Sequence, residues 1–302
     1  MFQLIEDSAV EIRNDDFYDK VATVAHNCYQ VKEKDHESNV AFISRLISAR
    51  HLAMVEHYTY TFKVEEELYE KTMKLHNRFY TLSGLQDGVG VYLVTLSLRV
   101  LLEALYSGSN AEKSVASVYV RSLPEDVKVL FDFDSFHLKE TSTAERFDLD
   151  ANRAMLPESV YQAHKTITYH IITDRGVTHE IVRHRLCAFA QESTRYCNYT
   201  KDKFSNCLTF MKPLRYDEFK DIYDAYYTAC SDAYFKLVAQ GARPDEARSV
   251  LPNSLKASIM VTCSIEEWKT IFSLRISDHA HPDINRVMIK VRDDMKKKGY
   301  IQ

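Results

Sequence analysis

The segment Lys165-Thr-Ile-Thr-Tyr-His-Ile-Ile-Thr-Asp174 carries the clearest secondary-structure signal in the chain. It is filled with β-branched and aromatic residues, which predicts a β-strand ending before Arg175-Gly176. A short helix is expected over residues 177–184. It leads into a cationic stretch, Arg183-His-Arg-Leu-Cys-Ala-Phe-Ala-Gln-Glu-Ser-Thr-Arg195. The order of strand, helix and cationic loop places the loop beside a sheet, where binding residues commonly lie.

The rest of the chain predicts helices and strands around this segment. Extended segments or strands are predicted at 1–14, 57–64 and 207–211. Helices are predicted at 16–30, 38–49 (capped by Ser38 or Asn39), near 66–82, 91–107 and 112–121, at 216–239, from Pro244, after Pro252, from the capping box Ser264–Glu267 to Arg275, and at 283–297. A polar stretch covers 135–152. We expect a single domain over 1–302 of the α/β class (α+β type). Its central mixed or antiparallel sheet should be flanked by helices, with an inserted, mainly helical region at about 66–163.

Composition narrows the class of protein. The chain has 302 residues, of which 45% are hydrophobic, enough for a substantial core. Its 39 lysines and arginines are outnumbered by 43 aspartates and glutamates, which argues against a general nucleic-acid binder. Six cysteines without a CxxC pair indicate reduced thiols. The N-terminus lacks a signal-peptide pattern, and Val89–Leu105 is too short and too polar to span a bilayer. We expect a soluble cytoplasmic protein without nucleic-acid or membrane partners.

Several common site motifs are absent or incomplete. Gly88-Val-Gly90 has Leu93 where a dinucleotide-binding loop needs its third glycine, and no GxxxxGK[ST] sequence occurs. His179-Glu-Ile-Val-Arg-His184 is one residue longer than HExxH, so its histidines would lie on different helix faces. Asp148-Leu-Asp-Ala-Asn152 begins like a calcium loop, but Arg153 replaces the required glycine. No metal site is expected.

The cationic stretch indicates an anionic ligand. It concentrates three arginines and a histidine in a protein of net charge −4. Guanidinium groups bind phosphate bidentately, and the glutamine and serine within the stretch suit a base or a ribose. From these residues alone, a solvated helix face that binds nothing remains the alternative.

The same stretch resembles a family signature. Arg183-His184-Arg185, followed after seven residues by Ser193-Thr-Arg-Tyr196, is similar to the signature of flavin-dependent thymidylate synthases, the ThyX family. Further segments resemble the family in the same order: Arg50–His57, Asp174–Val182, Ala247–Pro252, Phe272–Arg275 and His279–Pro282.

The resemblance implies a reaction and a set of roles. FAD would be the cofactor, dUMP the substrate, methylenetetrahydrofolate and NADPH the co-substrates, and the assembly a homotetramer. Arg275 would be catalytic by polarising the uracil ring. The residues implied to contact FAD are His51, Arg183, His184, Arg185, Gln191, Ser264 and Thr270. Those implied to bind dUMP are Glu180, Arg183, Gln191, Ser193, Thr194, Arg195, Arg248 and Arg275.

The sequence departs from the family at three places. Glu266 stands where the family commonly has an FAD-contacting arginine; Arg50 and Leu52 flank His51 in place of glycine and glutamate; and the inserted region is extra. Val94–Arg99 repeats the pattern of Val261–Glu266, which suggests the hypothesis that Arg99 supplies the missing cation. Two alternative functions stay open: a related enzyme acting on another pyrimidine nucleotide, and a non-catalytic nucleotide-binding relative.

Overall fold

The computed structural model describes residues 1–32, 34–85, 90–131 and 141–302. Its helices are α1 (Phe17–Tyr29), α2 (His36–Ser48), α3 (Glu66–Lys74), α4 (Leu98–Ser107), α5 (Asn110–Arg121), α6 (Glu125–Lys128), α7 (Glu158–His164), α8 (Arg175–Ile181), α9 (Lys220–Ala239), α10 (Pro244–Ala247), α11 (Ile265–Arg275) and α12 (Pro282–Lys297). Its strands are β1 (Phe2–Ile5), β2 (Ser8–Glu11), β3 (Thr59–Val64), β4 (Tyr80–Leu85), β5 (Val91–Ser97), β6 (Ala144–Arg146), β7 (Thr166–Asp174), β8 (Ala188–Gln191), β9 (Leu208–Met211) and β10 (Lys256–Ser264). None of these helices is long and apolar enough to cross a membrane.

The strands form antiparallel sheets flanked by helices, which confirms the predicted fold class. One four-stranded sheet has the order β2-β7-β10-β8 and the other β4-β5-β3-β6. A parallel pair, β1 and β9, forms a third sheet, which an isolated bridge between Phe210 and Leu255 joins to the start of β10. Each four-stranded sheet supports its own hydrophobic core, one around Phe62 and Tyr119 and the other around Tyr169 and Trp268. The site described below is carried by segments that follow strands β7, β8 and β10 of the sheet β2-β7-β10-β8.

The two four-stranded sheets are built on the same plan. We call residues 57–107 the first repeat and residues 164–275 the second repeat. Each begins with a buried histidine, continues through a strand, a helix and an edge strand, and ends with a strand that runs straight into a helix. In the first repeat Thr61 pairs with Thr95 across β3 and β5. In the second, Thr168 pairs with Thr262 across β7 and β10.

The repeats contact each other through matching hydrogen bonds. His57 Nδ1 lies 2.7 Å from Thr262 Oγ1, and His164 Nδ1 lies 2.7 Å from Thr95 Oγ1. Each histidine thus bonds the threonine pair of the other repeat. Between them the hydroxyls of Thr59 and Thr166 meet at 2.9 Å. The two units are therefore related by an approximate twofold arrangement within one chain.

The structure corrects several predicted elements. The helix predicted near 66–82 ends at Lys74 and is followed by β4, and the one predicted over 91–107 is a strand, β5, joined to α4. The helix predicted after Pro252 does not form, because β10 starts at Lys256. The cap of α2 is Asp35, whose carboxylate accepts from the backbone N–H of Ser38.

The inserted region contains more helix than strand, as predicted, yet it also supplies strands to the sheet built on β3. The short helix predicted at 177–184 is α8, which begins and ends earlier. Gly88, Val89 and the part of the polar stretch over 135–140 lie outside the described residues.

Candidate active site

Three predicted site residues form one hydrogen-bonded group where α8 and α11 meet. The Arg275 guanidinium donates from Nη1 to the Glu180 carboxylate at 3.0 Å and from Nη2 to the Glu180 carbonyl oxygen at 3.1 Å. Its Nε donates to His184 Nε2 at 3.1 Å. Arg275 is the last residue of α11. Glu180 lies in the last turn of α8, and His184 lies just beyond the end of α8. Arg275 is 95 residues from Glu180 and 91 residues from His184 in the chain, so these hydrogen bonds join distant segments.

His184 is a buried, neutral acceptor in this group. Burial, and then the charge of Arg275, lowers the pKa of His184. Because Nε2 accepts from Arg275, the proton belongs on Nδ1, which lies 3.8 Å from the Glu267 carboxylate. Burial also raises the pKa of Glu267, with the neighbouring Glu266 carboxylate adding to the effect. The imidazole therefore orients the guanidinium without adding a second positive charge.

A cleft of about 410 Å³ lies between the two repeats, and its lining includes the sequence neighbours of His184 and Glu267. The predicted cofactor residues Arg185 and Ser264 line it, together with Glu266. Ser264 caps α11, with its hydroxyl accepting from the Glu267 backbone N–H at 3.1 Å. Arg185 is exposed and has no carboxylate partner in the described part of the chain. The cleft combines apolar walls with a guanidinium, as a cofactor site requires.

The predicted substrate segment after β8 is fixed at its base. Gln191 donates to the Thr178 hydroxyl on α8 at 3.0 Å, two residues before Glu180 in that helix. The next residue, Glu192, is buried and bonds Lys256 at 2.5 Å and the Tyr199 hydroxyl at 3.1 Å. This buried ion pair anchors the loop that carries Ser193, Thr194 and Arg195. Of these, Thr194 is buried and Arg195 is exposed.

The segment that carries Arg248 packs in the same apolar cluster as the segment that follows Arg195. Arg248 begins a short 3₁₀ helix, Arg248–Val250, directly after α10. The adjacent Ala247 packs in one cluster with Cys197 and Tyr199, which follow Arg195 in the chain. Farther along, the Asn253 carbonyl accepts from the backbone N–H of Arg175 at the start of α8. The segments bearing Arg195 and Arg248 are therefore neighbours, and both side chains are exposed.

The remaining predicted residues lie outside these groups. His51 lines a separate pocket with Cys28, Tyr29 and Arg99. The backbone of Cys28 accepts from Ser193 N–H at 3.1 Å, so this pocket adjoins the substrate loop. Arg183 is exposed. Thr270 is also exposed, and its hydroxyl donates to the Glu266 carbonyl oxygen of its own helix, so the structure does not bring it to the cleft.

Comparison with known sequences assigns the chain to a family. A sequence model of the family described as thymidylate synthase complementing protein matches residues 138–298, more than half of the chain. The chain belongs to this family. The family resemblance predicted from Arg183-His184-Arg185 is thus confirmed.

Individual relatives agree with the family match. The chain is similar to the flavin-dependent thymidylate synthase of Pyrococcus abyssi, with 26% identity over 168 residues, 52% of this chain and 68% of the relative. For the enzyme of that name from Pyrococcus furiosus the identity is 29% over 149 residues, 48% and 60% of the two chains. For that of Geobacter sulfurreducens it is 29% over 144 residues, 47% and 61%. The matches therefore span about two thirds or less of these relatives' length.

Four of the six cysteines have raised thiol pKa values. All six cysteines are free. Burial raises the pKa of Cys28 and of Cys197 to about 11. It also raises the pKa of Cys207, and burial with a hydrogen bond to Cys187 raises that of Cys263. These four remain thiols at neutral pH and are therefore poor nucleophiles.

Sequence reasoning missed the contribution of the first repeat to the cleft. Arg78, Phe79 and Ser97 line it opposite the residues of the second repeat. A sequence signal was available, because His57-Tyr-Thr-Tyr-Thr61 recurs as His164-Lys-Thr-Ile-Thr168. The similarity of Val94–Arg99 to Val261–Glu266 reflects the same repeat, at the junctions of β5 with α4 and of β10 with α11.

Proposed function

We propose that the protein is a flavin-dependent thymidylate synthase. It would convert dUMP to dTMP with methylenetetrahydrofolate as one-carbon donor and NADPH as reductant, through FAD. The observation that carries this proposal is the junction of Arg275 with Glu180 and His184 in a member of the thymidylate synthase complementing family. A permanently charged group, held from two sides beside a loop suited to a nucleotide, matches what the reaction needs.

Arg275 would activate the uracil ring electrostatically. Adding a carbon at C5 requires electron density there, and the ring then carries negative charge near N3 and O4. A guanidinium keeps its charge at any working pH, so Arg275 can stabilise that charge. Neutral His184, the Glu180 carbonyl oxygen and the Glu180 carboxylate hold the guanidinium plane, so the group is already oriented when the substrate binds.

The cleft residues fit the cofactor in one respect and oppose it in another. Arg185, without a carboxylate partner in the described residues, suits the pyrophosphate of FAD. Glu266 lines the same cleft and repels it. When bound, reduced FAD supplies the hydride that the reaction consumes. The protein's part is to bind the cofactor, orient it and exclude water.

The decisive experiment is product identification. Protein reconstituted with FAD should be yellow and should form dTMP from dUMP, methylenetetrahydrofolate and NADPH, with the product identified by mass. dCMP assayed in parallel separates this proposal from a related enzyme on another pyrimidine. Colourless protein that cannot be reconstituted and forms no product would contradict it and favour a non-catalytic relative.

We also propose that the protein works as a homotetramer whose sites combine residues of more than one subunit. The exposure of Arg183, Arg195 and Arg248 supports this, because a neighbouring subunit could complete their surroundings. Light scattering of the FAD-loaded protein measures the assembly, and a monomer with full activity would contradict it. The free cysteines support a reducing compartment, and we propose the cytoplasm.

A further inference from the structure

Arg78 of the first repeat and Arg185 of the second occupy equivalent positions. Thr81 on β4 lies opposite Thr95, and Ala188 on β8 lies opposite Thr262. Each arginine precedes its edge-strand residue by three positions. The connecting segments from Thr61 to Thr81 and from Thr168 to Ala188 are equal in length. Both arginines therefore occupy matching positions in the two repeats, and both line the cleft between them.

We propose that Arg78 is a second binding residue of this cleft and holds the pyrophosphate of FAD together with Arg185. The inference rests on the proposed function for the identity of the ligand. It extends that function to the first repeat, which lies outside the segment matched by the family model.

The charges lining the cleft give Arg78 a decisive place. Among the residues that the structure describes, four charged side chains line it: two arginines, at 78 and 185, and two glutamates, Glu56 and Glu266. Glu56 forms an ion pair with Arg99, which lies outside the cleft and is shared with Glu103, so Glu56 is partly neutralised. Arg185 alone would be cancelled by Glu266. With Arg78 the cleft has two guanidiniums against the Glu266 carboxylate and a partly neutralised Glu56, and this added positive charge favours a pyrophosphate.

The structure favours Arg78 over Arg99 as the compensating cation. Arg99 is half-buried, and its guanidinium is occupied by Glu56 and by Glu103, the latter at 2.7 Å from Nε. It lines the pocket that contains His51, not the cleft of Arg185 and Glu266. Arg78 forms no ion pair within 4 Å in the described part of the chain, and the Glu56 carboxylate interacts with it electrostatically from farther away. Its guanidinium lies 4.7 Å from the centre of the Phe79 ring, which limits its motion and leaves its N–H groups available.

The test is a comparison of flavins that do and do not carry phosphate. Binding of FAD and of riboflavin is titrated by fluorescence quenching for the parent protein, Arg78→Gln, Arg78→Lys and Arg185→Gln. Arg45→Ala, which removes an exposed arginine of α2, is the matched control. Circular dichroism verifies that each variant is folded. Because riboflavin has no phosphate, it reports on contacts to the ring system alone.

We expect Arg78→Gln and Arg185→Gln each to raise the Kd for FAD about 10-fold, the size expected for a lost charge-assisted contact, with the Kd for riboflavin unchanged. Arg78→Lys should stay within about 3-fold of the parent, because it keeps the charge. If Arg78→Gln bound FAD like Arg45→Ala while Arg185→Gln was weakened, the inference would be overturned and the proposed function would stand. A parent protein that binds no FAD would overturn both.

Discussion

The two repeats share a scaffold but not a chemistry. Both keep the buried histidine, the paired threonines and a serine at the start of the last helix, α4 in the first repeat and α11 in the second. The catalytic candidates of the second repeat are Glu180, His184 and Arg275, and the equivalent positions of the first hold Met73, Asn77 and Gly108. Contacts present in both repeats therefore hold the fold together, whereas those confined to the second are candidates for function. Arg78 is the exception, since it belongs to the first repeat and faces the cleft.

The largest effect on activity should come from replacing Arg275 of the second repeat. Arg275→Ala should lower kcat about 100- to 1000-fold, because a fixed charge facing the developing anion is removed. Steady-state kinetics with dUMP, alongside Arg45→Ala, measures it. Unchanged folding by circular dichroism must accompany the loss. A KM increase with kcat preserved would mean that Arg275 only binds substrate.

The histidines shared by both repeats should act on stability instead. Both are buried, and each bonds a threonine of the opposite repeat at 2.7 Å. His164→Ala should cost about 3 kcal/mol of unfolding free energy and His57→Ala about 2 kcal/mol. The difference arises because His164 Nε2 also bonds Ser83 at 2.9 Å, whereas Ala190 occupies the matching position near His57. Urea unfolding measures both, and exposed His36→Ala should change little. Equal effects of all three variants would contradict the scaffold role.

The sequence predicted β7, one of the two central strands of the sheet β2-β7-β10-β8, but not the other, β10. β7 was evident from Thr166–Asp174, since its β-branched and aromatic composition is a local property. β10 was missed because Pro252 suggested a helix start and because both faces of Lys256–Ser264 are covered, so the apolar residues do not alternate. For the same reason β5 was merged with α4. The hydrogen bonds that join Glu180, His184 and Arg275 depend on how α8 and α11 pack together, and no local sequence pattern predicts that packing.

A smaller effect should appear in the pH dependence of stability. Burial lowers the pKa of His57 to about 3 and that of His164 to about 4. The unfolded chain protonates near pH 6.5, so it binds more protons than the folded protein below that pH. Stability should therefore fall between about pH 6.5 and pH 4, by up to about 1.4 kcal/mol per pH unit for each histidine. Urea unfolding of His57→Gln should show a slope shallower by about that amount, and an unaltered slope would mean that His57 is not neutral when folded.

The smallest effect should come from the charge that opposes the cleft's arginines. Glu266→Gln removes a carboxylate from a cleft proposed to hold a pyrophosphate, and Glu266 is exposed, so solvent screens the repulsion. We expect about 3-fold tighter FAD binding at low salt, with the gain disappearing at high salt. The first-turn carboxylate Glu125 of α6 gives a control, Glu125→Gln, away from the cleft. Fluorescence titration at two salt concentrations decides. If Glu266→Gln weakened FAD binding, the carboxylate would be a ligand contact, and the charge balance that gives Arg78 its role would be wrong.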